Sequence, residues 1–297
     1  MNLTGSMCAI ATPFKAAGEL DLEAFGRLVD YQIDGGTQVL VVAGSTGEAH
    51  FLTHAEYTRL LSFAVERVAG RVPVVAGTGE AGTAKTLELT RHAASLGVDA
   101  ALVVAPYYVR PTQEGLRRHF VQVADRGGLP VIAYNVPSRT ACDMTPDTVA
   151  SLRGHPSIAG IKEAVGERDR IRAMAELAGP EFVYLSGDDE SACEAMLTGA
   201  GGTVSVVANL VPRLFRDLCD AACAGDKATA QGHMASLQPL LDALGCAPNP
   251  IPVKAGLAML DFGDGSLRLP LLELADGADK DRLHAALASL LPDAVKA

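Results

Sequence analysis

Short apolar runs alternate along this chain with longer segments whose apolar residues recur at helical spacing. This alternation is typical of repeated βα units that build a parallel sheet. Eight such units lie within about 220 residues, and a TIM barrel typically takes about 250 residues. The pattern therefore predicts a TIM (β/α)8 barrel, an α/β fold, with a doubly wound sheet as the alternative.

The limits of the units follow from the apolar runs and from capping residues. The candidate caps or first-turn residues are Asp21, Thr53, Thr112, Thr145 and Asp188. The predicted strands are 7–11, 39–43, 72–76, 100–105, 131–134, 158–162, 182–186 and 202–206. The predicted helices are 21–35, 54–69, 83–96, 112–126, 145–152, 168–178, 189–198 and 211–224.

The strand pattern stops near residue 226. The remaining sequence predicts helices that are interrupted at 248–252 and at 267–270. We therefore expect a catalytic barrel over residues 1–224 and a C-terminal helical subdomain over 225–297. A chain of 297 residues that is 48% hydrophobic is long enough to build one large core.

The composition argues against several partners. The formal net charge is −10 and lysine and arginine do not cluster, so we expect neither nucleic acid nor an anionic membrane to bind. No run of about 18 apolar residues occurs, and the N-terminus has no basic residue ahead of a long apolar stretch. We expect a soluble cytoplasmic protein.

The histidines and cysteines lack the spacing of a metal site. No HExxH pattern occurs, and Cys219 and Cys223 have no second cysteine pair or adjacent histidine to complete a zinc site. We expect no metal. The six cysteines are expected to be buried, reduced thiols.

Polar residues follow several predicted strands, at the end of a TIM barrel where catalytic residues lie. We expect them to converge on one pocket. They are the loop 44–48 after the second strand, Tyr107 and Tyr108 after the fourth, Tyr134 and Arg139 at and after the fifth, Lys162 at the end of the sixth, and 187–189 after the seventh.

Lys162 carries the most information, because it ends an apolar strand. Burial disfavours the charged amine and lowers its pKa from about 10.4 toward neutrality. A free-base lysine can condense with a carbonyl to a Schiff base. Alternatively, Lys162 would extend its amine to solvent or pair with a carboxylate such as Glu163.

Neighbouring residues favour the Schiff base. Loop 44–48 offers two hydroxyls and backbone N–H groups to a small carboxylate. Tyr134 would lie one strand from Lys162, where its phenol can transfer protons. Arg139 can bind a second carboxylate with two hydrogen bonds. The combination predicts a Schiff-base aldolase that acts on keto acids.

Six segments resemble the dihydrodipicolinate synthase family of the pyruvate-dependent aldolase superfamily, which includes N-acetylneuraminate lyase. They are GSTGEAHFL (44–52), PYYVRPTQEGL (106–116), YNVPSRT (134–140), GIKEA (160–164), LSGDD (185–189) and PNPIPVK (248–254). The resemblance covers residues from about 3 to 275. It implies a TIM barrel with a C-terminal helical domain and the condensation of pyruvate with aspartate 4-semialdehyde to 4-hydroxy-tetrahydrodipicolinate.

The resemblance also implies residue roles and an assembly. Lys162 would form the imine with pyruvate with no further cofactor, and Tyr134 would transfer protons. Ser45 and Tyr108 would complete a hydroxyl relay, with Tyr108 entering the neighbouring subunit's site in a homodimer or homotetramer. The implied substrate-binding groups are Thr46 for the pyruvate carboxylate, Arg139 for the aldehyde's carboxylate, and the backbone of Gly187 and Val204 around the pocket.

Two departures from the family pattern have consequences. Ser45 stands where the family usually has threonine, which keeps the hydroxyl but lets it rotate more freely. The lysine-feedback site of some members uses a histidine, an asparagine and a glutamate, whose matching positions here hold Tyr57, Ala81 and Lys85. Of the residues of that site, only a histidine at position 54, His54, is present here. We therefore expect little or no inhibition by lysine.

Three alternatives remain open. Residues 77–82 match the GxGxxG pattern of an NAD-dependent oxidoreductase, but the acidic residue expected after the next strand is missing. A non-catalytic ligand binder would not need Lys162, Tyr134, Tyr108 and Arg139 together. Within the superfamily the alternative is an aldolase for sugar acids, such as N-acetylneuraminate lyase. Arg139 favours the synthase, because a short aldehyde acid needs its carboxylate held.

Overall fold

Eight parallel strands form a closed barrel in the structure, a computed structural model that describes residues 2–295. The strands follow one another in chain order, and the last pairs with the first. They are β1 (Gly5–Ala9), β2 (Val39–Val42), β3 (Val74–Gly77), β4 (Ala100–Val104), β5 (Val131–Asn135), β6 (Ile158–Glu163), β7 (Val183–Ser186) and β8 (Gly202–Ser205). The predicted TIM barrel is confirmed, and the closure rules out a doubly wound sheet.

Alternate strand residues face the inside and the outside of the barrel. The interior is filled by a separate apolar cluster that includes Met7, Val41, Leu102 and Ile132. The outward residues pack against the surrounding helices in a much larger cluster. The barrel is therefore a packed core, and its C-terminal end is where a substrate can enter.

The helices surround the barrel in the predicted order. They are α1 (Leu22–Asp34), α2 (His54–Val68), α3 (Thr83–Ser95), α4 (Gln113–Arg126), α5 (Pro137–Thr140), α6 (Pro146–Leu152), α7 (Arg168–Leu177), α8 (Ala192–Thr198), α9 (Pro212–Cys223), α10 (Lys227–Leu244), α11 (Ile251–Met259) and α12 (Ala278–Leu290). The short α5 was not predicted, because four residues are too few to display a helical period.

Side-chain caps explain where several of these helices begin. Asp21, Thr53, Thr112 and Thr145 each accept a hydrogen bond from a backbone N–H in the first turn, as predicted. The prediction for Asp188 is wrong. Its carboxylate accepts from the N–H and hydroxyl of Ser191 instead, and α8 begins only at Ala192.

The largest error in the strands concerns β1, which begins at Gly5 rather than at residue 7. Gly5 has φ of +78°, and a β-carbon there would lie 1.9 Å from Gln38 Oε1. Glycine is uncommon inside strands, so the sequence pattern did not include Gly5 in the predicted strand. The strand ends early because the Ala11 N–H donates to the Asn209 side chain at 2.9 Å.

The C-terminal helices α10, α11 and α12 pack against one another, and α10 packs on α9. Buried residues such as Leu237, Val253 and Leu283 belong to the same apolar cluster as the barrel helices. Helix α11 starts within the predicted interruption 248–252. The same apolar core includes residues before and after residue 224. The division into a barrel and a C-terminal subdomain at that residue therefore stays a prediction. Within residues 2–295, no helix is long and apolar enough to span a membrane.

Candidate active site

A cavity of about 350 Å³ opens at the C-terminal end of the barrel. Strands β2, β4, β5 and β6 contribute residues to it through their ends or following loops, as the sequence predicted. The prediction that 187–189 after β7 also lines the pocket is wrong for this cavity. The predicted site residues that line it are Ser45, Tyr134, Arg139 and Lys162. The other predicted site residues do not line it in the single chain; they are Thr46, Tyr108, Gly187 and Val204. Thr46 contacts the lining residue Asn249, and Gly187 contacts the lining residue Lys162.

Lys162 lies near the end of β6 and is 5% exposed. No salt bridge to this lysine occurs within residues 2–295. Burial lowers the pKa of Lys162 to about 8, a shift that nearby Asp189 opposes and Arg139 supports. The side chain therefore has an accessible free-base form near neutral pH, which is what a Schiff-base nucleophile requires.

Tyr134 stands directly beside Lys162, because these two residues are register partners on β5 and β6. The amine lies 4.1 Å from the centre of the tyrosine ring. Burial raises the pKa of Tyr134 to about 12, so the phenol is protonated at neutral pH. The predicted adjacency is confirmed, and the phenol can donate a proton beside the amine.

The loop after β2 is held by a residue from the C-terminal part of the chain. Asn249 Nδ2 donates to Thr46 Oγ1 at 2.9 Å, and Asn249 itself lines the cavity. The Oδ1 atom of Asn249 is buried and has no hydrogen-bond partner within residues 2–295. Asn249 was not predicted as a site residue, although the segment PNPIPVK that contains it was noted.

Arg139 lies on α5 and is largely exposed at the cavity. Its Nη2 donates to the Asn249 carbonyl at 3.1 Å. It has no acidic partner within residues 2–295, and its positive charge favours the anionic form of the Tyr134 phenol. The guanidinium is therefore free to bind a carboxylate that enters the cavity.

Tyr108 points away from the cavity of its own chain. Its side chain is 90% exposed, and its φ of +72° lies in the left-handed region. The preceding Tyr107 lines the cavity instead and donates from its hydroxyl to Glu80 at 2.8 Å. Sequence reasoning missed this contact, because two adjacent tyrosines give no signal that tells which one turns inward.

Gly187 and Val204 have different surroundings. A β-carbon on Gly187 would lie 2.9 Å from Lys162 Cε, so this glycine leaves the space that the lysine occupies. Val204 is buried in the barrel interior and pairs with Met7 on β1.

The GxGxxG segment has a packing role. A β-carbon on Gly77 would lie 2.0 Å from the Ala43 carbonyl, and one on Gly79 would lie 2.4 Å from the Val104 nitrogen. These glycines let neighbouring strands approach closely.

The positions that match the lysine-feedback site contain no free acidic group. Tyr57 is buried and donates to the Gly77 carbonyl, and Lys85 is exposed. Of the nearby acids, Glu56 binds Arg268 and the capping Thr53. The other acid, Glu80, accepts from Tyr107.

Within residues 2–295, no group of three histidine, cysteine or acidic side chains could hold a metal ion. All six cysteines are free thiols. The expectation that they are all buried is wrong for Cys223, which is exposed, and for Cys142 and Cys246, which are half-buried.

Comparison with known proteins gives consistent results. A model of the dihydrodipicolinate synthetase family matches residues 2–290. The 4-hydroxy-tetrahydrodipicolinate synthase of Stenotrophomonas maltophilia K279a is 52% identical over 292 residues, which are 98% of each chain. The crystal structure of dihydrodipicolinate synthase from Aquifex aeolicus is 40% identical, with a TM-score of 0.94 over 99% of this chain and 100% of that one.

A third similar protein is a chloride-inhibited dihydrodipicolinate synthase from Acinetobacter baumannii, whose crystal structure contains pyruvate. It is 40% identical, and the match covers 99% of both chains with a TM-score of 0.92. Together with the barrel and the buried Lys162 beside Tyr134, these matches establish that the chain belongs to the dihydrodipicolinate synthetase family.

Proposed function

We propose that this protein is a lyase that condenses pyruvate with L-aspartate 4-semialdehyde to 4-hydroxy-tetrahydrodipicolinate, a reaction of lysine and diaminopimelate biosynthesis. The observation that carries the proposal is the buried Lys162 beside the Tyr134 phenol at the C-terminal end of the barrel. The match of nearly the whole chain to curated synthases supports the choice of this aldol reaction.

The neutral amine of Lys162 attacks the ketone carbon of pyruvate, and water leaves as the imine forms. Tyr134 donates the proton that lets the oxygen leave as water. Loss of a proton from the methyl group of the imine gives an enamine, whose carbon attacks the aldehyde of the second substrate. The amine of that substrate then adds to the imine carbon and displaces Lys162, which closes the ring and regenerates the free lysine.

The imine nitrogen on Lys162 acts as the electron sink in these steps, so the proposed reaction requires no cofactor. Ser45 and Tyr108 would pass protons between Tyr134 and water. Thr46 and the neighbouring backbone would hold the pyruvate carboxylate, and Gly187 and Val204 would shape the pocket. Both substrates are small charged metabolites, which supports a cytoplasmic location.

Reductive trapping tests the nucleophile. Pyruvate with borohydride should add one reduced pyruvyl group to the peptide that contains Lys162, and Lys162→Ala should abolish the adduct. The main competitor is Lys254, which is buried and ion-paired with Glu48. An adduct on Lys254, or one that survives Lys162→Ala, would contradict the proposal.

A kinetic comparison tests the second substrate. Arg139→Ala should leave pyruvate trapping intact while it lowers kcat/KM for aspartate semialdehyde. Loss of a charge-assisted bidentate contact costs roughly 2–4 kcal/mol, or about 30- to 1000-fold. Equal losses in trapping and turnover would mean that Arg139 is structural. Turnover of a sugar acid instead of the semialdehyde would favour the lyase alternative.

The exposed Tyr108 supports a homo-oligomer, a homodimer or a homotetramer, in which this tyrosine enters a neighbouring site. Mixing Lys162→Ala with Tyr108→Phe protein under conditions that exchange subunits should restore part of the activity. One site of each mixed dimer would then have both native residues. Demonstrated exchange without recovery would place Tyr108 outside the neighbouring site.

A further inference from the structure

We propose that the buried ion pair between Glu48 and Lys254 is a positioning pair for pyruvate. Through it, helix α11 sets the conformation of loop 44–48, which holds the pyruvate carboxylate in the proposed function. The inference rests on that function. It assigns a positioning role to Lys254, which lies 206 positions from Glu48 in the chain.

Glu48 ends the loop in an unusual backbone conformation. Its φ of +54° lies in the left-handed region, which non-glycine residues rarely adopt unless surrounding contacts maintain it. Its side chain is completely buried. Oε1 accepts from Lys254 Nζ at 2.5 Å, and Oε2 accepts from the backbone N–H of Arg268 at 3.2 Å. Both oxygens are therefore fixed by the C-terminal part of the chain.

Lys254 is equally enclosed, with a side chain that is 3% exposed. Its amine lies 4.3 Å from the centre of the Phe14 ring. Burial lowers the pKa of Lys254, and the Glu48 carboxylate opposes that shift. Two well-packed apolar residues commonly stabilise a core at least as well as a buried ion pair. The directional contact of Lys254 with Glu48 therefore points to a role in geometry.

The rest of the loop depends on the position of Glu48. The Glu48 N–H donates to the Ser45 carbonyl at 3.1 Å, which closes the turn that presents Ser45 and Thr46. The Gly47 carbonyl accepts from Thr12 Oγ1 at 2.7 Å. If Glu48 relaxed from its left-handed conformation, the backbone N–H groups at 45 and 46 would turn away from the carboxylate. Lys162 lies on a different strand and would keep its place.

The pair should therefore affect pyruvate binding more than turnover. Glu48→Asp keeps both charges but shortens the reach of the carboxylate, and Lys254→Met removes the cation while it keeps a similar length. Losing a backbone hydrogen bond to a charged carboxylate weakens binding roughly 10- to 100-fold, so we expect each variant to raise the KM for pyruvate by about that factor. The kcat at saturating pyruvate and the KM for the aldehyde should stay within about threefold.

Two controls separate positioning from general destabilisation. Leu237→Ala opens a cavity beside α10, which packs mainly against α9 and α12, and should lower the melting temperature without changing the KM for pyruvate. Lys254→Arg keeps the cation and should recover most of the pyruvate affinity that Lys254→Met loses. If Lys254→Met does not fold, Glu48→Asp and Lys254→Arg still test the pair.

The outcomes distinguish this inference from the proposed function. If the wild-type protein forms no pyruvate adduct, the proposed function fails and the inference fails with it. If the wild type forms the adduct but Glu48→Asp has the wild-type KM for pyruvate, only the positioning role is overturned. Equal changes in the KM for pyruvate and for the aldehyde would also overturn it, because the loop is assigned to pyruvate alone.

Discussion

Gly187 and Lys162 are packed so closely that no side chain fits between them. A β-carbon on Gly187 would lie 2.9 Å from Cε and 3.0 Å from Cγ of the lysine. The backbone N–H of Gly187 donates to the Glu163 carbonyl at 2.7 Å, so the glycine cannot easily move away. Because Gly187, just after β7, has no side chain, the Lys162 side chain can occupy the position it has in the structure.

We predict that Gly187→Ala will impair imine formation, with a loss of stability of about 1–3 kcal/mol from the overpacked methyl group. The added methyl would push the Lys162 side chain out of line, and misplacement of a reacting group by about 1 Å can cost on the order of 100-fold in rate. Rapid-quench trapping with pyruvate measures this rate. Gly232→Ala is the matched control, because a β-carbon there meets no atom within 4 Å. A wild-type trapping rate in Gly187→Ala would contradict the prediction.

The pH dependence of adduct formation should follow the lowered pKa of Lys162, about 8. Only the neutral amine attacks a carbonyl, so its fraction rises with pH. We expect the rate to rise about tenfold per pH unit well below 8 and to level off above it. Mass spectrometry after cyanoborohydride reduction measures the rate between pH 6 and 9.5. A rate that still rises steeply at pH 9.5 would indicate an ordinary lysine.

Glu163 should make stability fall as pH rises toward neutrality. Burial raises its pKa to about 7, although the Val165 N–H and Arg170 oppose this shift. The pKa of Glu163 is therefore higher in the folded protein than in the unfolded chain, where it is about 4.5. The stabilisation that results is complete below pH 4.5 and is lost as the pH rises through about 7. We expect Glu163→Gln to gain on the order of 3 kcal/mol relative to wild type between pH 4.5 and 8.

Urea unfolding at both pH values measures this difference. Glu176→Gln, which removes an exposed carboxylate, is the control, and its free energy of unfolding should lie within about 0.5 kcal/mol of wild type at both pH values. A wild-type advantage that grows with pH would mean that the contacts of Glu163 with Arg170 and Asn135 outweigh the cost of burying its charge.

Free lysine should not inhibit the protein at concentrations up to about 10 mM, a weak-binding scale. Lys85 would repel the amine of the effector, and Glu56 and Glu80 already have partners. Losing one charged hydrogen bond costs about 1.5–3 kcal/mol, which alone weakens binding about tenfold or more. Half inhibition below 10 mM that His54→Ala abolishes would contradict this. Ala81→Asn combined with Lys85→Glu should increase sensitivity to lysine.

The barrel could be predicted because each unit repeats local signals that a single sequence contains. The runs 39–42 and 100–104 are continuous and apolar, since strands covered on both faces contain little else. Thr53 and Glu56 form a complete capping box within four residues. Lys162 was recognisable because a charged residue interrupts such a run.

The remaining features depend on contacts between distant parts of the chain. Nothing near Glu48 in the sequence indicates that its partner is Lys254, and nothing near Arg139 indicates that Asn249 lies against it. The inward turn of Tyr107 and the outward turn of Tyr108 depend on backbone angles that neighbouring residues do not specify. Such pairings follow from the closed fold and could not be predicted before it.

The pairing of β1 with β8 also affects how copies of this protein can meet. Each of the eight strands within residues 2–295 has a hydrogen-bonded neighbour on both sides. The folded barrel therefore offers no row of unpaired backbone groups that could template the addition of a foreign strand. Association between folded copies is therefore left to the helices and loops, so it can be tuned by surface substitutions that leave the sheet untouched.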